Sequence, residues 1–249
     1  MRKQLLYSFL ALLLGTGTLR GQFLGGQLKS SSSSYPTGTV HCKPQNRTAV
    51  VEVVSLTGRV WMDRNLGAER VATSSTDALG FGDLYQWGRG ADGHQCRDSG
   101  TRTTLSSSDQ PGHPDFIIVP NTSSTEDWRN PQKNTLWQGI DGINNPCPTG
   151  FRIPTDEEFR AERLLWVGGS NSTAAFNSML KLPLAGFRER TTGVISLTAQ
   201  DFPYGFIWTS QVGGGGSSND AVAFAYFQNH AFENQYARGR GYSVRCIKN

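Results

Sequence analysis

Between Phe224 and Tyr242, close to the end of the chain, six aromatic rings stand among four side-chain amides, one histidine and two arginines. Rings supply contact area, and amides, imidazole and guanidinium supply hydrogen bonds, so the chemistry is that of non-covalent recognition. A core segment would be more aliphatic and a solvent loop less aromatic. Large, partly polar side chains fall at alternate positions, where a water-facing strand would carry Thr, Lys or Glu. Tyr226, Gln228, His230, Phe232, Asn234, Tyr236 and Arg240 are therefore the candidate ligand-binding face.

Other constellations are weaker. The acidic run Asp156, Glu157, Glu158 has carboxylates for acid–base work, but it opens a helix, where acids complement the unpaired N–H groups. "DGHQCRD" gathers Asp92, His94, Cys96 and Asp98, and "GHPD" adds His113 and Asp115. These types suit zinc, yet the spacing is that of no paired zinc module, and Cys96 is expected in a disulfide. The reading is of a chain with no catalytic set, no metal site and no cofactor, and so not an enzyme.

Positioning the aromatic segment falls to the elements around it. Thr155 followed by Glu158 is a capping box, which predicts a helix from about Asp156 to Trp166, closed by Gly168 and Gly169. A second helix is expected at "STAAFNSML". "TAVVEVVSLTGRVWMDRN" reads as two short strands around "LTGR". The runs "LKLPLAGFRE", "GVISLT", "GFIWTS", "AVAFAYF" and "YSVRCIK" read as an antiparallel meander, with "VGGGGSS" as a flexible hairpin tip. Helices followed by a meander give an α+β class. From about 88 to 145 the chain is irregular and pinned by Trp128 and Trp137, as in an insertion or elaborate surface loop.

Arg2 and Lys3 precede the apolar run "LLYSFLALLL", and small residues follow, the pattern of a secretory signal peptide over 1–21 cleaved near Gly21. That run is too short to span a bilayer, and no later stretch is apolar enough, so no transmembrane segment is expected. Residues 22–40 read as a Gly/Ser-rich flexible spacer and 41–249 as one domain. Losing Arg2, Lys3 and Arg20 lowers the formal charge from +4 to +1, and no basic stripe supports a nucleic-acid partner. Four cysteines in an exported chain argue for two disulfides. Sequence leaves three pairings open. The pairing expected is Cys147 with Cys246, which anchors the last strand, and Cys42 with Cys96.

Read together, "WMDRNLGA", "FGDLYQWGRGADGH", "NNPCPTGFRIPT", "LKLPLAGFR", "FIWTS" and "GYSVRCIKN" make residues from about 50 to 249 resemble the Fibrobacter succinogenes major paralogous domain family, exported proteins of Bacteroidetes and relatives. The resemblance implies a C-type-lectin-like fold: two helices, a small antiparallel sheet and long irregular loops. It implies binding rather than catalysis, at the cell surface or secreted, in a Gram-negative bacterium. The calcium-dependent sugar motifs "EPN" and "WND" are absent, so no calcium-borne sugar site is carried over. Some members resemble variable proteins of diversity-generating retroelements, whose altered segment precedes the terminal "SVRC". In this chain that segment holds Tyr226, Gln228, His230, Phe232, Asn234, Tyr236, Arg238 and Arg240. The implied partner is a protein or glycan on another cell or in the matrix. Two alternatives stand beside this: an enzyme on a scaffold like that of formylglycine-generating enzymes, and a purely structural surface protein.

Overall fold

Thr155 caps the first helix reciprocally: its side chain accepts from the Glu158 amide, and the Glu158 carboxylate accepts from the Thr155 amide at 2.9 Å. This is helix α1, Asp156–Arg163, one turn shorter than the sequence predicts. Beyond it the chain loosens through Leu164 and Trp166 into Gly168 and Gly169, both at positive φ, a region glycine enters without steric cost. Helix α2, Ser172–Asn177, is capped by Asn171, whose side chain accepts from the Ala174 amide at 2.8 Å.

The computed structural model describes residues 34–199, 202–214 and 219–249. The expected signal peptide, the spacer up to residue 33 and the glycine tip at 215–218 lie outside the described residues. In chain order the strands are β1 (Glu52–Val54), β2 (Val60–Met62), β3 (Tyr85–Gln86), β4 (Thr101–Arg102), β5 (Phe116–Ile117) and β6 (Phe151–Arg152). After the two helices come β7 (Phe187–Arg188), β8 (Ile195–Ser196), β9 (Thr198–Ala199), β10 (Phe202–Pro203), β11 (Gly205–Val212), β12 (Asp220–Tyr226), β13 (Ala231–Ala237), β14 (Gly241–Tyr242) and β15 (Ile247–Lys248). Among the described residues, two α-helices with several small, mostly antiparallel sheets make an α+β protein. No helix of the described residues is long and apolar enough to cross a membrane.

The first two strands and the last strand meet in one sheet, ordered β1-β2-β15-β6, in which Ile247 lies opposite both Trp61 and Arg152. Cys246, next to Ile247, is bonded to Cys147, and Cys42 to Cys96, with Cα separations of 5.9 and 5.2 Å. Both expected pairings are present and occupy all four cysteines. A second sheet runs β3-β14-β7-β8 and a third β11-β12-β13.

Two sequence expectations need revision. "YSVRCIK" is not one strand: β14 and β15 belong to different sheets, and the chain bends between them. At the bend Arg245 is buried and donates to Asn65 Oδ1 at 3.0 Å, Met62 O at 3.3 Å and Leu180 O at 2.7 Å. The strand is interrupted there because a buried guanidinium must face acceptors on several sides. Nor does the packed domain begin at 41, since Tyr35 packs against the core and donates to Thr48 O at 2.8 Å. The irregular stretch from 88 to 145 is core wall: Phe116, Ile117, Val119, Trp128 and Trp137 are buried. The Trp128 indole donates to Trp87 O at 2.7 Å and that of Trp137 to Asn144 O at 2.9 Å.

Candidate functional site

The register of the three-stranded sheet decides where the aromatic segment points. β12 pairs with β13 through Tyr226↔Ala231, Ala225↔Phe232, Ala223↔Asn234 and Ala221↔Tyr236, and with β11 through Phe206↔Ala225 and Trp208↔Ala223. Side chains alternate between sheet faces, so Phe206, Trp208, Ala221, Ala223, Ala225, Phe232, Asn234 and Tyr236 share one face. The opposite face carries Ile207, Phe224, Tyr226 and Glu233 toward the helices. There Phe224 stacks on Phe159 of α1 at 5.1 Å, and Glu233 receives two hydrogen bonds from Arg163, at 3.0 and 2.9 Å. A turn joins the strands, closed by Phe227 N–H to His230 O at 2.8 Å with Gln228 and Asn229 at its tip. Helix α2 holds this turn from behind, its Ser172 amide donating to Phe227 O at 2.7 Å.

On the first face the central strand contributes three alanines, and the flanking strands contribute the rings. Phe206 stacks on Tyr242 at 4.6 Å, with Trp208 4.4 Å from Tyr242. Tyr236 meets Phe206 and Tyr242 edge-on at 5.4 and 5.5 Å. Outward from this floor Phe227 contacts Phe206 at 5.7 Å, and Phe232 stacks on Phe227 and His230 at 5.8 and 5.4 Å. Phe187 of β7 joins from the neighbouring sheet, with Arg240 over its ring at 5.1 Å and Arg240 paired to Glu189 at 3.4 Å. Burial disfavours the Arg240 cation, but Tyr242 and Glu189 outweigh it and hold its pKa above the ordinary value. Burial pushes the Tyr236 phenol up, with Asn234 and Arg240 opposing the rise. Both groups keep their neutral-pH forms, a cation and a neutral hydroxyl.

Gln228, His230 and Asn234 are exposed, and Phe232, Tyr236 and Arg240 are half-buried. Register and ring contacts bring His230, Phe232, Asn234, Tyr236 and Arg240 together on one surface, with Gln228 exposed at the tip of the adjoining turn. Tyr226 and Arg238 do not join them, which corrects the sequence assignment. A tight turn at 228–229 makes Tyr226 face Ala231, so its parity is opposite to that of Phe232. It is fully buried, and its hydroxyl donates to Pro183 O at 2.7 Å. Arg238, past the end of β13, turns inward over Trp87 at 4.6 Å. There it donates to Asn134 Oδ1 at 2.8 Å and lies 3.7 Å from Asp127. Phe206, Phe227 and Phe187 are the members that the sequence reading missed. The alternation of Phe206 and Trp208 in "GFIWTS" could have placed the first, whereas nothing local marks Phe187.

Asp92, His94 and Cys96, whose types suit zinc, are engaged otherwise. His94 Nε2 accepts from the Gln86 amide at 3.0 Å, so Nδ1 carries the proton and faces Asp92 Oδ1 at 2.6 Å. Burial and the Arg89 cation lower the His94 pKa to about 4, leaving a neutral imidazole that fastens β3 to the 88–98 loop. Arg89 takes the other Asp92 oxygen at 2.8 Å. Asp156 to Glu158 form the first turn of α1, with Glu158 bonded to Arg152 at 2.7 and 2.8 Å. What the aromatic face offers is a fixed set of rings, amides and one cation, suited to holding a partner by contact.

No family model matches the chain, and no curated protein or solved structure matches it significantly.

Proposed function

We propose that this protein is a recognition module of the cell exterior, secreted or held at a bacterial surface. It grips a protein or glycan of another cell or of the matrix through Gln228, His230, Phe232, Asn234, Tyr236 and Arg240. The observation that carries the reading is the graded ring stack. Half-exposed Phe232 and Tyr236 rest on Phe227, Phe206 and Tyr242, which tie them to the core. Rings fixed before a partner arrives lose little entropy on binding, which is the usual basis of a strong contact residue.

The C-type-lectin-like fold belongs to the same proposal. It is supported by the pairing of the last strand with β2, by two helices behind the sheet and by the bridge fastening Cys246. Retroelement-driven diversification is its stronger form. In its favour, the six face residues occupy a turn, an outer strand and a loop, while Ser243 to Ile247 are buried and hold the segment from its far end. Two disulfides fit an oxidising compartment.

The test has two parts. The mature protein is applied to arrays of glycans and of extracellular proteins. A ligand bound by the wild type should lose about 30-fold in affinity, ~2 kcal/mol, in the Phe232→Ala/Tyr236→Ala variant, with melting retained. Unchanged binding by that variant removes the site. Sequencing the gene from many isolates addresses diversification: changes concentrated at the six face codons, with those of 243–248 constant, support it, and an even spread leaves a fixed binding module.

A further inference from the structure

An open cleft of about 970 Å³ lies between the strap Pro36–Val40, the turn Asp109–Pro114 and the loop Ile140–Phe151, and it shares no residue with the aromatic face. Its walls are fastened. The Val40 amide donates to Ala91 O at 2.7 Å and the Thr149 amide to Ser34 O at 2.9 Å. The Cys42–Cys96 bridge holds the strap, and the Cys147–Cys246 bridge holds the opposite wall. A preformed hollow of this size is in the range of ligand sites.

The lining has a definite chemistry. Pro36, Val40, Pro114 and Ile140 give it an apolar surface. Its ionisable side chains are Asp92, Asp109, Asp141 and His113, and no Lys or Arg among the described residues lines it, in a chain with 24 of them. Asp92 and Asp109 are about a quarter exposed, and the cations that pair with them, Arg89, Arg129 and Lys133, lie outside the lining. Asp141 is exposed. Asn144 donates to Gly88 O at 2.9 Å and to Asp109 O at 2.7 Å through Nδ2, which leaves its Oδ1 as an acceptor. The charged groups of the hollow are thus acceptors on apolar walls, which complements a chain carrying apolar groups and a donor cation. The one aromatic ring in the lining with area for sugar stacking, Phe151, is itself buried.

We propose that this cleft binds an extended peptide segment of another protein, its aliphatic or proline residues along the proline walls and one Lys or Arg side chain toward Asp141. This is a second contact surface, independent of the aromatic face.

The probe is a positional-scanning library of acetylated, amidated octapeptides, applied to the full mature chain. Selection should favour Lys or Arg at one position with apolar neighbours. The selected peptide should bind about tenfold more weakly to Asp141→Asn and not measurably to Thr37→Trp, which sets a large ring on the exposed strap. Gln110→Trp repeats the block from the opposite wall, thermal melting checks that each variant folds, and Phe232→Ala/Tyr236→Ala should bind the peptide like the wild type. Absence of basic selection, or binding as tight as the wild type's by both Trp variants, overturns the proposal. Saturation by maltohexaose would give the cleft to a glycan, and self-association abolished by Thr37→Trp would give it to a second copy; either result also overturns it.

Discussion

Phe206 of β11 and Tyr242 of β14 lie face to face, with ring centroids 4.6 Å apart and planes 12° from parallel. The contact joins the three-stranded sheet to the sheet built on β14, and the candidate face rests on it. Phe206→Ala should therefore cost about 3–5 kcal/mol in urea unfolding, the range for deleting a buried ring. Phe232→Ala, whose ring touches Phe227 and His230 as its aromatic partners among the described residues, should cost about 1 kcal/mol or less. Similar losses at both positions would erase the distinction between floor and face.

Asp83 is a source of pH dependence. Its carboxylate is buried against Gly67 and makes no hydrogen bond or ion pair among the described residues. It borders a small cavity also lined by Tyr35, His41, Lys43, Arg47, Thr48 and Tyr85. Burial raises its pKa to about 7, with Arg97 and Lys43 opposing and Asp98 adding to the rise. The folded value lies above the unfolded one near 3.8, so this contribution to stability is fully present below about pH 4 and lost as pH rises through about 7. Asp83→Asn cannot ionise, and should exceed the wild type by about 1–3 kcal/mol at pH 8 while gaining nothing at pH 4. Asp127, also raised to about 7 by burial, gives both proteins a shared pH trend. Unfolding curves at the two pH values isolate the Asp83 share, and a pH-independent difference would remove it.

The two bridges should fail differently. They close 54 and 99 residues, for which loop entropy gives about 4–5 kcal/mol each, with 2–5 usual in practice. Replacing Cys147 and Cys246 by Ser frees the strand that lies between β2 and β6, so amide exchange should rise throughout that sheet. Replacing Cys42 and Cys96 should raise exchange chiefly over 35–48, with β15 still protected. Uniform exchange changes in both variants would contradict this separation, and titratable thiol in the native protein would contradict the bridges themselves.

How far the sequence reaches depends on the range of the force involved. The capping box at Thr155 and Glu158, the second helix at "STAAFNSML", the "LTGR" hairpin and the α+β class were all legible, because each rests on neighbours within a few residues. The bend at Arg245 was not, since its acceptors Asn65, Met62 and Leu180 are remote in sequence and a lone arginine in an apolar run looks like a water-facing strand residue. The candidate site was half legible for the same reason. Composition marked the segment, but whether Tyr226 shares a face with Phe232 depends on the parity of the turn at 228–229. A period-2 pattern extended through a turn reverses itself when the turn flips parity.

Arg238 and Arg240 give the sharpest test of that correction, because two arginines separated by one glycine have opposite surroundings. Arg238 is buried over Trp87, beside Asp127 and bonded to Asn134, and burial lowers its pKa while Asp127 and Asp220 oppose the shift. Arg238→Ala leaves Asp127 buried without its cation, and should cost about 3–5 kcal/mol of stability. Arg240 is half-buried at the edge of the aromatic face, over Phe187 and paired with Glu189. Arg240→Ala removes one partly exposed pair and one ring contact, and should cost about 1 kcal/mol or less. If the face is the binding site, Arg240→Ala should weaken a ligand found on the arrays while melting close to the wild type, and Arg238→Ala should melt lower and bind normally where it is still folded. The reverse pattern, Arg238→Ala stable but unable to bind, would return Arg238 to the surface and undo the register argument.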